Sequence, residues 1–429
     1  MRKVDIGILR AGRLRFELIG DFLLDGMRVP SKNDVFIDDG VLCFCGRHYS
    51  ALCFEPQSVD CSFVLHDVVI GVGFHWQRKE SQTFKGELRL IVEDGEVRAI
   101  NRLFVEDYLV SVISSEMSAT SSLEFLKAHT IISRSWLYAQ LDRSESVCDA
   151  VLGYENENET IRWYAREDHT LFDFCADDHC QRYQGITRAI NPNVARAVEE
   201  TRNVVLKYDG KVCDARFSKC CGGVTERFSA CWENVDYGYL KAFRDCDGVL
   251  PLPQLTTEEG ARAWIESVPP SYCSTDDKAV LSQILNGYDR ETNDFYRWKV
   301  VYPQSELSLL IAERSDIDFG VIEDLLPVER GESGRIVKLK IVGSKAVRVV
   351  GKELEIRRWL SKSHLYSSAF VVDKEVDSAG EVLFVLKGAG WGHGVGLCQI
   401  GAAMMGEKGC PCEQILSFYY PGAVLEKIC

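Results

Sequence analysis

The sequence predicts an α+β protein with a core of antiparallel β-hairpins, a few helices packed at one groove, and a small N-terminal β module. Asp-Gly pairs stand between alternating apolar runs at four places, 25–26, 39–40, 94–95 and 209–210, and Asp-Gly is a strong hairpin signal. The helical segments follow hairpins rather than alternating with single strands. The βαβ units of a parallel sheet are therefore not indicated.

Length and composition restrict the class of protein. The chain has 429 residues, of which 46% are hydrophobic, enough for two or three domains or one elaborated domain. The formal net charge of −14 argues against a nucleic-acid partner, because polyanions bind basic surfaces. No segment approaches the ~20 consecutive apolar residues of a membrane-spanning helix, so we expect no transmembrane segment.

Cysteine is unusually frequent, with 17 residues. Disulfide frameworks are typical of small secreted domains, whereas this chain is large. Cys43, Cys45, Cys213 and Cys398 lie in apolar segments and are predicted to be buried thiols. The N-terminal segment MRKVDIGILRAGRLRFELIGDF is interrupted by arginines and alternates like a pair of strands, so it is not predicted to be a signal peptide.

The elements follow one another along the chain. Residues 1–82 are predicted to form the β module, and FKGELRLIV and EVRAINRLF two further strands. A capping box at Ser121–Glu124 predicts a long helix that ends near Leu141, and Pro192 suits the first position of another helix. Further on, GRIVKLKIVG is predicted to be a strand, residues 352–360 a helix, and Pro411 the start of the last helix.

A glycine-rich segment, LKGAGWGHGVGLCQIGAA, covers residues 386–403. Its spacing fits neither the dinucleotide-binding fingerprint nor a P-loop. Leu397, Ile400 and Met404 then share one helical face, so the glycines predict a tight entry into a helix with His393 at its mouth. The residues alone leave open whether this is a ligand site or a packed turn.

Glu116 is a candidate general acid. It follows the apolar run Tyr108–Ile113 and precedes the predicted helix cap, which places a carboxyl group beside apolar surface. Desolvation there favours the protonated form that a general acid needs. The alternative is a surface glutamate that is favoured near a helix N-terminus.

Two cysteine-containing segments are candidates for metal binding or for structural turns. His169, Cys175, His179 and Cys180 offer the ligand types that zinc prefers, but a disulfide or two buried thiols would suit the same spacing. The segment FSKCCGG, residues 217–223, is predicted to be a strand that ends in a tight structural turn.

Five segments in order resemble the sporulation stage II protein D family (SpoIID/LytB, also called amidase enhancer), from about Thr83 to the C-terminus. They are EMSATSSLEFLKAHTIISRSWLYA, FCADDHCQRYQGI, TRNVVLKYDGKVCDARFSKCCGG, GAGWGHGVGLCQIGAAMMGEKG and FYYPGAVL. The most specific are the Gly-Trp-Gly-His-Gly-Val-Gly run at Gly390–Gly396 and the Tyr-Tyr-Pro-Gly at Tyr419–Gly422.

The resemblance implies a lytic transglycosylase that cleaves peptidoglycan glycan strands and leaves a 1,6-anhydro end. The family's acid corresponds to Glu116, and the zinc of some members would be held by His169, Cys175 and Cys180. The predicted substrate-binding residues are Arg134, Ser218, Trp391, His393 and Gln399.

The resemblance also implies a domain division and a second possible function. Residues 83–250 would form the first part of the catalytic region and 336–429 the part that completes the groove. Helical patterns around a proline-rich start predict an insertion or second lobe at 251–335. Ser118–Ser122 replaces the Pro-Ala-Ser-Trp-Pro usual in the family, and this favours the alternative of a non-catalytic module. Such a module would bind peptidoglycan and modulate an N-acetylmuramoyl-L-alanine amidase. The substrate implies an extracytoplasmic location, and a cytoplasmic one is the alternative.

Overall fold

A computed structural model describes residues 2–71, 77–117, 121–144, 152–164, 169–177, 180–187, 192–277, 281, 294–363 and 365–428. The chain divides into two compact units. The first unit comprises Met1–Ser144 and Arg166–Val204, and the second comprises Glu145–Ala165 and Val205–Ile428.

The described strands are short and numerous, as the hairpin signals predict. In chain order they are β1 (Lys3–Ala11), β2 (Arg13–Ile19), β3 (Phe22–Leu24), β4 (Met27–Arg28), β5 (Lys32–Asp38), β6 (Val41–Phe44), β7 (Arg47–Tyr49), β8 (Ala51–Pro56), β9 (Ser62–Ile70), β10 (Arg78–Lys85), β11 (Glu87–Glu93), β12 (Glu96–Phe104), β13 (Gly153–Glu155), β14 (Glu159–Arg162), β15 (Phe174–Cys175), β16 (Val204–Tyr208), β17 (Lys211–Val212), β18 (Phe217–Ser218), β19 (Arg297–Pro303), β20 (Ile322–Arg330), β21 (Ile336–Gly343), β22 (Val347–Gly351), β23 (Phe370–Val376), β24 (Val382–Ala389), β25 (Leu397–Cys398) and β26 (Val424–Lys427).

The described helices lie between these strands. They are α1 (Val105–Glu116), α2 (Leu123–Ser144), α3 (Pro192–Glu200), α4 (Phe228–Cys231), α5 (Glu258–Glu266), α6 (Gln304–Ser315), α7 (Glu353–Trp359), α8 (Gln399–Glu407) and α9 (Cys412–Tyr419). The predicted start of α3 at Pro192 is confirmed, as are the predicted strand at β21 and helix at α7.

The α+β class is confirmed, with several mostly antiparallel sheets. At all four Asp-Gly pairs both residues have positive φ, between 49° and 77°, which is the backbone shape of a type I′ turn. These turns join β3 to β4, β5 to β6, β11 to β12, and β16 to β17. The sequence signal therefore identified both the positions and the geometry of these hairpins.

Two sheets form the strand part of the first unit, in the orders β15-β1-β12-β11-β8-β3-β4 and β10-β9-β2-β5-β6-β7. Helices α1, α2 and α3 pack against one another through the buried side chains of Ile113, Leu126, Val194 and Ala197. Helix α1 begins directly after β12 and ends at Glu116. The position of Glu116 is therefore fixed by β12 at one end of α1 and by the packing of α1 against α2 and α3.

Two local predictions about the first unit need correction. The cap of α2 is Ser122, whose Oγ accepts a hydrogen bond from the backbone N–H of Phe125 at 3.4 Å, so it lies one residue later than predicted. Cys45 was predicted to be buried but is exposed, because it occupies the turn after β6 with φ of 49°. Cys43, Cys213 and Cys398 are buried, as predicted.

The second unit has sheets in the orders β13-β14-β22-β21-β20, β17-β16-β26, β18-β25 and β19-β24-β23. One hydrophobic core cluster of this unit includes Trp298, Phe319, Leu339, Trp359 and Phe384. Strand β24 leads from this core directly into the glycine-rich segment.

The domain limits predicted from the sequence stay predictions. The compact units of the structure divide the chain elsewhere, since β1 pairs with β12 and with β15 across the proposed boundary after residue 82. In the part of the chain that is described, no helix is both long and apolar enough to cross a membrane.

Candidate functional site

Glu116 lies at the C-terminal end of α1 and is partly buried. Its Oε1 accepts a hydrogen bond from the backbone N–H of Arg182 at 2.9 Å. This bond comes from the segment that follows β15, so the carboxyl group is oriented by a part of the chain 66 residues away in sequence. The position suits a group that needs a fixed direction and access to a substrate.

His169, Cys175 and Cys180 come together in the first unit. One donor atom of each lies within 4.8 Å of the other two, and all three side chains are partly buried. An imidazole and two thiols are a ligand set that binds zinc. His179, the fourth candidate ligand of this segment, lies outside the described residues. Cys180 is two residues before Arg182, so the cluster and the Glu116 hydrogen bond belong to one segment.

A cavity of about 180 Å³ borders the same segment and is lined, among others, by Cys175, Asp177 and Arg182. Glu116 is not one of the described residues that line this cavity. Pockets for drug-sized ligands measure roughly 300–1,000 Å³, so this cavity is too small for a glycan strand.

Arg134 is 0% exposed in the middle of α2. Its guanidinium donates to both carboxylate oxygens of Glu106, at 3.0 Å and 2.6 Å, and to the Val204 carbonyl oxygen at 3.0 Å. These contacts tie α2 to α1 and to the start of β16. Contact of Arg134 with a substrate stays a prediction, and its complete burial speaks against it.

The glycine-rich loop of the second unit, Gly390–Gly396, connects β24 to β25. Gly390, Gly392, Gly394 and Gly396 all have positive φ, between 72° and 89°, which side chains rarely adopt. A Cβ at Gly390 would lie 2.7 Å from the Cys220 carbonyl oxygen, so space as well as backbone shape requires glycine there. The loop is therefore a tightly packed turn.

The loop is held by the segment that follows β18. Cys220 and Trp391 exchange two backbone hydrogen bonds, at 3.0 Å and 2.8 Å, and β18 pairs with β25 in parallel. Arg335, which is fully buried, donates to the Gly392 carbonyl oxygen from Nε at 3.1 Å and from Nη2 at 2.9 Å. Neither Arg335 nor its role was identified from the sequence, since a lone arginine just before a strand has no distinguishing pattern.

His393 is held in one orientation. Its Nδ1 accepts a hydrogen bond from the Val395 N–H at 3.0 Å, and its ring meets the Trp232 ring edge-on at 4.8 Å. Burial holds the pKa of His393 well below its usual range, and the positive charges of Arg216 and Arg335 lower this pKa further. The imidazole is therefore neutral at neutral pH, with its proton on Nε2.

The other predicted substrate-binding residues of this unit differ in exposure. Trp391 is partly exposed and stacks on Phe295 at 4.9 Å. Ser218 is 6% exposed and its Oγ accepts from the Gly394 N–H at 3.2 Å, while Gln399 is 2% exposed at the start of α8. Substrate contact stays a prediction for all of them. Glu116 belongs to the first unit and His393 to the second, so a groove shared by both also stays a prediction.

A second donor cluster lies in the second unit and was missed from the sequence. Cys221, Asp245, Cys273 and Cys398 are all buried, and one donor atom of each lies within 4.8 Å of the others. This cluster could hold a metal such as zinc. The segment FSKCCGG, predicted to be a structural turn, contributes Cys221. The ligands are scattered over residues 221–398 with no recognisable spacing, so no motif marked them.

Replacing Gly394 by alanine should destabilise the chain more than replacing another positive-φ glycine. A Cβ at Gly394 would overlap the guanidinium of buried Arg335, whereas one at Gly380, with φ of 86°, would meet nothing within 4 Å. The backbone strain of about 1–2 kcal/mol is common to both variants. Gly394→Ala should cost about 1–3 kcal/mol more, measured by urea unfolding. Equal losses in the two variants would show that Arg335 can move aside.

Comparison with known proteins gives the family. A family model described as Stage II sporulation protein (SpoIID) matches residues 93–208, which include Glu116, Arg134 and the His169, Cys175, Cys180 cluster. The chain belongs to the SpoIID family. A second model, a domain of unknown function (DUF8618), matches residues 226–396 and so covers the whole glycine-rich loop.

Relatives of this SpoIID protein share low identity over most of its length. It is 26% identical over 341 residues to "Amidase enhancer" of Bacillus subtilis (strain 168), an alignment that spans 74% of this chain and 40% of that protein. It is 22% identical over 330 residues to "Stage II sporulation protein D" of the same organism, spanning 77% of this chain and 76% of that protein. The protein of that name from Bacillus amyloliquefaciens is 22% identical over 324 residues, spanning 76% and 74%.

Proposed function

We propose that this protein cleaves the glycan strands of peptidoglycan as a lytic transglycosylase, with Glu116 as its general acid and base. The observation that carries the proposal is the Glu116 carboxyl group at the end of α1. It is partly buried, oriented by the Arg182 N–H, and lies inside the region that the SpoIID model matches.

A single carboxyl group is sufficient for this reaction. Protonated Glu116 gives its proton to the glycosidic oxygen as the bond from that oxygen to C1 of the sugar breaks. The C6 hydroxyl of the same sugar then bonds to C1, and its proton passes to the Glu116 carboxylate. The products are a 1,6-anhydro end and a free hydroxyl end, with no water consumed. Hydrolases of this bond generally need a second carboxylate to act as nucleophile or to activate water.

The test is digestion of purified glycan strands with the full chain, followed by mass spectrometry of the soluble products. We expect muropeptides that are lighter by one water than the hydrolysis products, because the 1,6-anhydro ring forms in place of a reducing end. Reducing ends would indicate a hydrolase instead, and undigested strands would contradict strand cleavage altogether.

His169, Cys175 and Cys180 would hold a zinc ion in the first unit. The donor chemistry and the separations within 4.8 Å fit three protein ligands, with a fourth position left for water. The ion would serve as a structural cross-link, since the proposed reaction needs no Lewis acid. It would fix the segment whose Arg182 N–H orients Glu116.

Zinc should be lost from this site when Cys175 is replaced by serine. We expect Cys175→Ser to contain about one zinc per chain less than wild type, because a thiolate ligand is removed. The control is Cys53→Ser, which removes a partly buried thiol of the same unit outside the cluster. Elemental analysis of protein purified without chelator decides it, and equal zinc in the two variants would rule out the site.

A second candidate function is that of a non-catalytic module that binds peptidoglycan and enhances an amidase. The relative named "Amidase enhancer" favours it, although this chain spans 40% of that protein's length. If the strands stay intact while added chain accelerates release of stem peptides by a purified N-acetylmuramoyl-L-alanine amidase, this function replaces the first. Both functions place the protein where peptidoglycan is accessible, outside the cytoplasmic membrane.

A further inference from the structure

The buried donor cluster of the second unit, Cys221, Asp245, Cys273 and Cys398, has the features of a metal site. We propose that these four residues bind a tetrahedral Zn²⁺ that holds the glycine-rich loop Gly390–Gly396 in place. This ion is separate from the one proposed for His169, Cys175 and Cys180, and its presence does not depend on the proposed function.

The separation of the sulfur atoms fits zinc better than a disulfide. The Sγ atoms of Cys221 and Cys273 are 3.6 Å apart. A disulfide bond is about 2.05 Å long. In a tetrahedral site with zinc–sulfur bonds of about 2.3 Å, two sulfurs lie about 3.8 Å apart. The described cysteines form no disulfide with one another, so these thiols remain available as ligands.

Asp245 is positioned as the fourth ligand. Its Oδ1 accepts a hydrogen bond from the Tyr419 hydroxyl at 2.7 Å, and its Oδ2 accepts one from the Cys273 N–H at 3.0 Å. Each carboxylate oxygen has two lone pairs, so either can still bind a metal. Hydrogen bonds of this kind from outside the ligand set orient the ligands of metal sites and tune them.

The backbone at Cys221 contacts another sulfur of the cluster and then turns sharply. The Cys221 N–H donates to the Cys398 Sγ at 3.2 Å, a contact that orients this sulfur beside Cys221. Gly222 and Gly223 follow with φ of 79° and 101°, so the chain turns sharply away from the cysteine. A Cβ at Gly222 would lie 2.9 Å from the Gly390 nitrogen, which shows how closely this turn packs on the glycine-rich loop.

Burial explains why a cation belongs here. Three thiols and a carboxyl group meet at a point that solvent does not reach. Buried polar groups of this kind are tolerated when they are hydrogen-bonded or coordinate a metal. A single divalent cation would use all four groups at once.

The proposed ion would cross-link four distant segments of the second unit. Cys398 ends β25 and directly precedes Gln399, while Cys221 follows Cys220, the backbone partner of Trp391. Asp245 and Cys273 come from the chain between α4 and β19. Both sides of the glycine-rich loop would therefore be fixed to the same ion, and with them the orientations of Trp391 and His393.

The experiment measures zinc in the full chain on the Cys175→Ser background, where the other proposed site is disabled. This protein should retain about one zinc per chain, and adding Cys398→Ser should remove it. The matched control adds Cys213→Ser instead, which removes a thiol that is equally buried but outside the cluster. The control should keep its zinc.

A second measurement keeps the test decisive if the Cys398→Ser variant does not fold. X-ray absorption of zinc in the Cys175→Ser chain should show about three sulfur neighbours near 2.3 Å and one lighter neighbour. Three results would each overturn the proposal. They are the absence of zinc from the Cys175→Ser chain, equal zinc in the Cys398→Ser and Cys213→Ser variants, and a Cys221–Cys273 disulfide detected by peptide mapping.

Discussion

Glu116→Gln is expected to abolish strand cleavage while leaving binding to peptidoglycan intact. Glutamine has nearly the same shape and can still accept the hydrogen bond from the Arg182 N–H, but it can neither give nor take the reaction's proton. Loss of a general acid typically lowers the rate by ~10²–10⁴-fold. The measurement is the initial rate of anhydro-product release, with binding followed by co-sedimentation with insoluble peptidoglycan.

The matched control is Glu55→Gln, which removes an exposed carboxylate of the same unit. It should cleave at the wild-type rate. If Glu116→Gln also cleaved at that rate, Glu116 would not be the acid. If Glu116→Gln lost binding together with cleavage, the carboxyl group would be a substrate contact rather than a proton donor.

Arg134→Met is expected to lower the free energy of unfolding by about 3–5 kcal/mol, because it leaves the buried Glu106 carboxylate without its partner. The guanidinium is 0% exposed and donates to both oxygens of Glu106. Removing both charges in an Arg134→Met, Glu106→Gln double variant should restore part of the loss, since no unpaired charge then remains. Urea unfolding of the wild type, the Arg134→Met and Glu106→Gln single variants and the double variant measures the coupling.

A surface pair in the same unit serves as the control. Arg196 and Glu200 are four residues apart on α3, and their side chains are 60% and 37% exposed. Arg196→Met should cost about 0.5 kcal/mol or less, because water screens the pair. If Arg134→Met were as stable as wild type and had lost affinity for peptidoglycan, Arg134 would be a substrate contact after all.

Local backbone rules explain what could be predicted of the fold. Asp and Gly tolerate positive φ, so each Asp-Gly pair determined a hairpin turn, and Pro192 suited the first turn of α3 because it needs no N–H donor there. The cap of α2 was misplaced by one residue because Ser121 and Ser122 are chemically equivalent candidates. Their side chains and spacing alone do not distinguish them.

The candidate site was predictable where its residues are close in sequence. His169, Cys175 and Cys180 span twelve residues, and the structure brings their donor atoms within 4.8 Å. Arg134, by contrast, was predicted to bind substrate, and its burial against Glu106 could not be read from α2 alone. Which face of a helix meets an acidic partner depends on the packing of α1 and α2, and that packing is tertiary.

By itself, the sequence determined the α+β class, the four Asp-Gly hairpins and the family, because each of these depends on neighbouring residues or on the order of motifs. Only the tertiary structure decided that Cys221, Asp245, Cys273 and Cys398 meet at one buried point. It also decided that Gly390 of the glycine-rich loop faces the Cys220 backbone and that Gly394 faces Arg335. Contacts between segments so far apart in sequence leave no periodic pattern, since they depend on how separate strands and loops pack into one core.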